Sequence, residues 1–282
     1  MTTLAPTEFA YVADLLRRES SIVLGPGKEY LVLARLLPLA REAGVATVGD
    51  LLVRVRQRND RASIQSIIDA LTTNETSWFR DQAPYQALTS HVLPKLVAER
   101  GHHRHLRVWS AACSSGQETY SLAITMQEFL PAGWTYEIFA SDISADMIER
   151  SQGGKYSQIE VSRGLPARML VDYFEREGAH WRVAAKLRRN ISFQRLNLAG
   201  PPPPMAPFDL VFLRNVLIYF DMGVKRTVLQ NIGRLMRPDA YLFLGAAEST
   251  IGIDDSFERA PAGSTFAYQL RRSTPTNGSG VR

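Results

Sequence analysis

The chain has 282 residues, of which 45% are hydrophobic and 22% charged, and its formal net charge is +5 at pH 7. This composition is typical of a globular protein with a sizeable core. It contains no run of 18 apolar residues and no secretory signal pattern, and its single cysteine, Cys113, excludes an internal disulfide framework. These features predict a cytoplasmic protein. The positive charge favours an acidic partner and leaves nucleic acid, a membrane surface and an acidic protein open.

Helices are predicted throughout the first seventy residues. Thr7 is the expected N-cap of the first helix, which the Gly25-Pro26-Gly27 segment ends. Thr47 is the expected N-cap of the third, and Pro38 suggests a kink in the second. Since no strand pattern interrupts these helices, we predict a small all-helical domain over residues 1–72.

A dense group of arginines lies in and just beyond the third predicted helix: Arg54, Arg56, Arg58 and Arg61. Most charge runs of this kind form a solvated helix face, and that is the ordinary interpretation. The density of positive charge, opposed only by Asp60, also suits the docking of an acidic helix. The residues alone leave both interpretations open.

Strands and helices alternate beyond a predicted linker at residues 73–90. The predicted strands are residues 106–112, 135–142, 208–215 and 240–247, with helices at about 117–130, from 144 and at 222–236. This alternation predicts an α/β, doubly wound Rossmann-like sheet over residues 91–272, with a ligand at the carboxyl ends of its strands. Short mixed pieces at about 153–190 predict an inserted subdomain, and residues 273–282 a flexible tail.

Two features of the predicted α/β domain favour a nucleoside cofactor. The loop at 110–119 is rich in small residues, which allow close approach of a ligand, although a tight turn explains it equally well. Asp142 ends the next strand, where a carboxylate accepts hydrogen bonds from ribose hydroxyls. Its alternative role as a helix N-cap is filled better by Ser144. Because no phosphate-binding motif is present, we expect an adenosine-containing cofactor without phosphate.

Further polar residues follow the predicted strand at 208–215. Arg214, Asn215 and Tyr219 lie where an α/β enzyme keeps its reacting groups, although they also suit the start of a helix. Upstream, the polar and aromatic segment at 74–81 is either a capped linker or a part of the site. These residues alone do not decide between the alternatives.

Six segments, in this order, resemble the CheR-type chemoreceptor glutamate methyltransferases. They are LTTNETSWFRD (71–81), VWSAACSSGQETYSLAI (108–124), IFASDIS (138–144), RLNL (195–198), FDLVFLRNVLIYFD (208–221) and FLGAAES (243–249). The resemblance covers essentially residues 7–270, including the helical domain. Each segment alone is moderately specific, whereas six in order are very specific. The chain departs from the family pattern at Trp78, Gln117, Thr119, Ala246 and Ala247, none of which is an implied cofactor contact.

The resemblance implies a class I methyltransferase fold with an inserted β-subdomain, and S-adenosylmethionine as cofactor. The implied cofactor contacts, some from the linker, are Asn74, Thr76, Arg80, Glu118, Asp142, Asn197, Leu198, Leu213, Arg214 and Asn215. Arg80 and Tyr219 are the implied catalytic residues, which orient the substrate carboxylate and the methyl-donating end. The implied reaction forms methyl esters on receptor glutamates and S-adenosylhomocysteine, for sensory adaptation.

The implied partners are the cytoplasmic helical domains of chemoreceptors, with the arginines of the third helix as the receptor-binding surface. We expect a monomer that binds no nucleic acid, holds no metal and does not insert into the membrane. Two other functions remain open. A nucleic-acid methyltransferase suits the positive charge, but such enzymes usually carry an Asn/Asp-Pro-Pro-aromatic motif where this chain has Arg-Asn-Val-Leu. The other is a non-catalytic, cofactor-sensing scaffold on the same fold.

Overall fold

Four helices form the N-terminal part of the computed structural model, which describes residues 4–263 and 265–271. They are α1 (Pro6–Ser20), α2 (Glu29–Glu42), α3 (Val48–Arg58) and α4 (Arg61–Leu71). Their apolar faces form one core that includes Val12, Leu36 and Leu52. The predicted tail at 273–282 lies outside the described residues.

The helix caps follow the sequence in part. The Thr47 hydroxyl accepts a hydrogen bond from the Asp50 N–H and caps α3 as predicted. The expectation of an N-cap at Thr7 was wrong, because the helix begins at Pro6 and its N-cap is Ala5. Proline suits the first helical position, where an N–H group has no partner within the helix.

Three short helical pieces lead from the helical domain to the sheet. They are α5 (Ala83–Ala87), a π-helical turn (Leu88–Val92) and α6 (Leu93–Glu99). Before them, the backbone of residues 79–82 adopts an unusual conformation, since Phe79, Asp81 and Gln82 all have positive φ angles. Non-glycine residues rarely occupy this region unless the surrounding structure holds them there.

The described residues beyond α6 form two sheets and the helices that flank them. The strands are β1 (His105–Ala111), β2 (Thr135–Asp142), β3 (Lys155–Ser157), β4 (Phe174–Glu177), β5 (His180–Val183), β6 (Ile191–Arg195), β7 (Phe208–Leu213), β8 (Met236–Leu244), β9 (Phe257–Ala262) and β10 (Thr265–Leu270). The helices are α7 (Gln117–Phe129), α8 (Ala145–Gly153), α9 (Gln158–Ser162), α10 (Ala167–Tyr173), α11 (Ala185–Arg188) and α12 (Met222–Arg234). A 3₁₀ turn (Leu217–Tyr219) precedes α12.

The large sheet has the strand order β6-β2-β1-β7-β8-β10-β9. Strands β6, β2, β1, β7 and β8 are parallel, and apolar clusters cover both faces of this sheet. The predicted α/β, doubly wound Rossmann-like sheet is therefore confirmed, and two further strands, β10 and β9, extend it beyond β8. β10 runs antiparallel to both β8 and β9. Such antiparallel strands are common at the edge of a largely parallel sheet.

The inserted subdomain contains the small sheet, with strand order β3-β5-β4. Residues 174–177 form β4, which pairs with β5 across the turn at Gly178. Among the described residues, no helix combines the length and the hydrophobicity needed to cross a membrane.

Candidate active site

A cleft opens at the carboxyl ends of the parallel strands, with an empty volume of about 870 Å³ including its mouth. The predicted site residues that line the cleft are Asn74, Thr76, Arg80, Glu118, Asp142, Asn197, Leu198, Arg214, Asn215 and Tyr219. The fold thus brings together residues that lie far apart in sequence. Leu213 is fully buried in β7 and is not among the lining side chains.

Asp142 sits at the end of β2 and holds the loop that follows β1. Its carboxylate accepts hydrogen bonds from the Ser114 N–H at 2.8 Å and the Ser144 N–H at 3.0 Å. Ser144 itself caps α8. Burial raises the pKa of Asp142, while these backbone N–H groups lower it. Each carboxylate oxygen retains accepting capacity, so Asp142 is able to receive further hydrogen bonds from a ligand in the cleft.

Glu118, at the start of α7, pairs with the buried Arg214. The Arg214 Nη1 lies 3.2 Å from Glu118 Oε2, and the Ser110 hydroxyl donates to Glu118 Oε1. Burial raises the pKa of Glu118, an effect that the charge of Arg214 opposes. Glu118 therefore balances the charge of a guanidinium group that is only 1% exposed.

Arg214 also supports the backbone that carries Arg80. Its Nη2 donates to the Arg80 carbonyl oxygen at 3.0 Å and to Asp81 Oδ2 at 2.7 Å. These bonds fall within the loop where Phe79, Asp81 and Gln82 have positive φ angles. Arg214 thus helps hold a conformation that those residues rarely adopt. The Arg80 side chain lines the cleft and donates to the Glu75 carbonyl oxygen at 3.1 Å.

Tyr219 reaches the cleft from the 3₁₀ turn after β7. Its backbone carbonyl accepts a hydrogen bond of 2.9 Å from the Val23 N–H, in the irregular segment that follows α1. An ion pair of 3.1 Å between Arg17 and Asp221 reinforces this contact. Among the described residues, none forms a hydrogen bond with the Tyr219 hydroxyl. That hydroxyl is therefore free to bind a ligand in the cleft.

Two contributions to the cleft were not predicted from the sequence. Ser20 and Ile22, at the end of α1, line it from the helical domain. Their packing depends on how the two domains meet, which no local pattern reveals. The Glu248 carboxylate accepts hydrogen bonds from the backbone N–H groups of residues 215–217, shortly before Tyr219 in the chain. It lies within the FLGAAES segment noted above, but the segment alone did not indicate what this carboxylate does.

The lining residues fit a nucleoside ligand without phosphate. The carboxylate of Asp142 suits ribose hydroxyls, and Ile22, Leu198 and Phe220 provide apolar walls for a base. Of the described residues that line the cleft, only Arg80 and Arg214 are cationic, and Arg214 is already paired with two carboxylates. The cleft thus offers little to balance a phosphate group.

The predicted receptor-binding arginines differ in their surroundings. Arg54 is partly buried and donates to the Ala43 carbonyl oxygen at 2.6 Å. The Arg56 guanidinium carbon lies 3.9 Å from the centre of the Tyr11 ring. Arg58 and Arg61 are exposed, and Arg61 begins α4 rather than lying in α3.

Two family models together match almost the whole chain. The model of the CheR methyltransferase SAM-binding domain matches residues 74–266, and that of the CheR all-alpha domain matches residues 7–72. The chain belongs to the CheR methyltransferase family. Among its CheR-type relatives, chemotaxis protein methyltransferase 1 of Pseudomonas aeruginosa is 38% identical over 275 residues, covering 95% of this chain and 99% of the relative. The chemotaxis protein methyltransferase of Escherichia coli is 32% identical over 262 residues, covering 90% and 88%.

Membership of the CheR family confirms three expectations. The chain is a methyltransferase, its cofactor is S-adenosylmethionine, and its sheet is that of a class I methyltransferase preceded by an all-helical domain. The individual roles of the residues in the cleft remain predictions. Their positions agree with the chemistry of this cofactor, since the cleft combines carboxylates, amides and apolar walls.

Proposed function

We propose that this enzyme methylates the side chains of glutamate residues in the cytoplasmic helical domains of chemotaxis receptors. The products are glutamyl methyl esters and S-adenosylhomocysteine, and the reaction serves sensory adaptation. The observation that carries the proposal is the position of Tyr219 and Arg80, which line the same cleft as the cofactor-binding candidates Asp142 and Glu118. A hydroxyl and a guanidinium group are both suited to bind a carboxylate.

In the proposed mechanism the protein acts by positioning. S-adenosylmethionine supplies a methyl group that its sulfonium charge already activates. A glutamate with an ordinary pKa of about 4.3 is ionised at pH 7, so its carboxylate needs no general base. Tyr219 donates a hydrogen bond to this carboxylate, and Arg80 offsets its charge and fixes its orientation. The apolar walls exclude water, which strengthens these interactions.

We propose that the receptor docks on a surface outside the cleft, formed by Arg54, Arg56, Arg58 and Arg61. Glutamate-rich receptor helices are anionic, and exposed arginines attract them over several ångströms. We place the enzyme in the cytoplasm, as a monomer. We also propose the domain limits given above: a helical domain at 1–72, a linker at 73–90 and a methyltransferase domain at 91–272.

The proposal is tested with cofactor labelled in its methyl group. The enzyme is incubated with purified receptor cytoplasmic domains and, separately, with DNA and RNA. We expect label on the receptor domain that mild base releases as methanol, because the product is an ester. Base-stable label on the receptor would exclude ester formation. Label on nucleic acid alone would favour the nucleic-acid methyltransferase instead, and cofactor binding without any transfer would favour the scaffold.

A further inference from the structure

Glu248 is a buried carboxylate in the segment after β8, and only 9% of its surface is exposed. It accepts four hydrogen bonds, all from backbone N–H groups. Its Oε2 binds the N–H groups of Asn215 and Gly245, both at 2.7 Å. Its Oε1 binds those of Val216 at 2.8 Å and Leu217 at 2.7 Å.

Three of these donors are consecutive in the chain, so they form a nest around the carboxylate. Asn215 has a φ angle of 59°, which turns its N–H toward the same point as those of the next two residues. Among the described residues, none provides a cationic partner for Glu248. The dipoles of the backbone N–H groups therefore supply the compensation that a buried carboxylate requires.

The nest leads directly into the turn that carries Tyr219. The Val216 carbonyl oxygen accepts the Tyr219 N–H at 3.1 Å, and the Leu217 carbonyl oxygen accepts that of Phe220 at 3.1 Å. The two residues whose N–H groups bind Glu248 Oε1 thus begin the 3₁₀ turn. A movement of Val216 or Leu217 would move the Tyr219 side chain in the cleft.

The packing around Glu248 leaves no space for a larger group at Gly245. A Cβ atom there would lie 2.7 Å from Glu248 Oε2 and 2.9 Å from the Asn215 nitrogen. Both atoms belong to the same hydrogen bond. Gly245 thus allows the end of β8 to approach the nest closely, and its replacement would disturb the nest without changing a charge.

We propose that Glu248 is a positioning residue for methyl transfer: its carboxylate fixes the backbone of residues 215–217 and thereby holds Tyr219 in the cleft. The inference rests on the proposed role of Tyr219. Glu248 itself does not touch the reacting groups. A glutamine at this position would retain the size of the side chain but would place an amide NH₂ against two N–H donors.

The first test compares Glu248→Gln with Glu258→Gln, a matched change at an exposed glutamate in β9. We expect Glu248→Gln to lower kcat about tenfold or more, because a small displacement of a reacting group is costly. The Kd for S-adenosylhomocysteine should change by no more than about threefold, since most cleft residues remain in place. Glu258→Gln should change neither quantity. A loss of affinity equal to the loss of kcat would overturn the proposal.

The second test is a double-mutant cycle with Tyr219→Phe. If Glu248 acts through the tyrosine hydroxyl, Glu248→Gln should have little further effect on kcat once that hydroxyl is absent. Equal effects of Glu248→Gln in both backgrounds would overturn the inference and leave the role of Tyr219 intact. A Tyr219→Phe enzyme with unchanged kcat would instead overturn the proposed role of Tyr219, and the inference with it.

Gly245→Ala provides an independent test if Glu248→Gln fails to fold. The added methyl group displaces the same hydrogen bonds while the carboxylate remains charged. We expect the same selective loss of kcat and the same non-additivity with Tyr219→Phe. A Gly245→Ala enzyme with normal kcat would show that the geometry of the nest does not matter, which would overturn the proposal.

Discussion

Asp142 is a single carboxylate on which both the cofactor loop and the proposed ribose contact depend. Asp142→Ala should weaken binding of S-adenosylhomocysteine by roughly 1–3 kcal/mol, because charge-assisted hydrogen bonds to the ligand are lost. Isothermal titration calorimetry measures this change. Asp146→Ala, at an exposed position nearby in α8, is the control and should bind normally. Unchanged affinity in Asp142→Ala would place the adenosine elsewhere.

The phenol of Tyr219 is expected to act in turnover rather than in cofactor binding. Tyr219→Phe removes only the hydroxyl, so the aromatic packing in the cleft is retained. We expect kcat to fall while the affinity for S-adenosylhomocysteine stays nearly constant, as for a group that contacts the reacting centre. Steady-state kinetics with a receptor domain and calorimetry separate the two effects. If kcat of Tyr219→Phe is normal, the tyrosine contributes only through the packing of its ring.

The position of a residue, as distinct from its role, could be predicted where a motif also fixed its place in the fold. Asp142 is the last residue of β2 and Arg214 directly follows β7, so the sheet itself places both at one edge. Glu248 was missed because its role depends on backbone N–H groups 31 to 33 residues away in sequence. A carboxylate that binds only main-chain groups leaves no characteristic side-chain pattern.

At the scale of elements, the segment from α3 to the start of α4 is the proposed docking surface. Arg54 already binds the Ala43 carbonyl oxygen, so the exposed Arg58 and Arg61 are better positions for a test. Changing both to glutamate should raise the KM for receptor and flatten its dependence on salt, because charge steering is lost. Cofactor affinity should not change.

The matched control for the docking surface changes Arg104 and Arg189 to glutamate. Both are exposed in the methyltransferase domain, and the net charge changes equally. Methylation rates are measured at subsaturating receptor over a range of salt concentrations. If the control at Arg104 and Arg189 raises the KM for receptor as strongly as the variant at Arg58 and Arg61, receptor binding depends only on the total charge of the enzyme. If neither does, the arginines form an ordinary solvated face.

An ion-pair network at the opposite end of the sheet links α6 to two strands. Arg100 donates to Asp209 of β7 at 2.8 Å and to both carboxylate oxygens of Asp239 in β8, at 2.6 and 2.7 Å. The hydrogen bonds from Arg100 lower the pKa of Asp239. The pair therefore stabilises the fold above the unfolded-state pKa of 3.8, and this contribution is lost as the pH falls through the folded-state value.

Asp239→Asn should consequently lower the free energy of unfolding by about 1 kcal/mol at pH 7. The difference from the parent should shrink as the pH falls below about 4, where the parent also loses the charge. Urea unfolding at several pH values measures this. Asp255→Asn, at an exposed position, should have no effect at any of them. If the difference in unfolding free energy between Asp239→Asn and the parent stayed constant with pH, the stabilising role of the Arg100–Asp239 pair would be contradicted.

The order of elements was easier to predict than their pairing. Buried runs such as residues 208–213 carry a clear strand signal, and the alternation with helices fixed the parallel part of the sheet. β6 and the β9–β10 pair were missed. β6 is half exposed and only five residues long, so its apolar signal is weak. β9 and β10 owe their place to pairing with β8, which depends on tertiary contacts.

For the whole molecule, the cleft belongs to both domains, because Ser20 and Ile22 line it together with residues of the sheet. Bound ligand should therefore stabilise the two domains together. At a concentration of S-adenosylhomocysteine equal to 100 times its Kd, the gain should be about 2.7 kcal/mol. Differential scanning calorimetry should show every transition moving upward, and a smaller shift in Asp142→Ala at the same ligand concentration. A shift confined to one transition would contradict a shared cleft.

The hydrogen bond between Val23 and Tyr219 also limits where domains of different CheR-type enzymes can be joined in a chimaera. A chimaera that joins this methyltransferase domain to the helical domain of a relative replaces the segment against which Tyr219 rests. Retaining residues 17–24 of this chain along with its methyltransferase domain would preserve the contacts of Arg17, Ser20, Ile22 and Val23. The functional boundary for such exchanges thus lies inside the helical domain, well before the point in sequence where the two domains join.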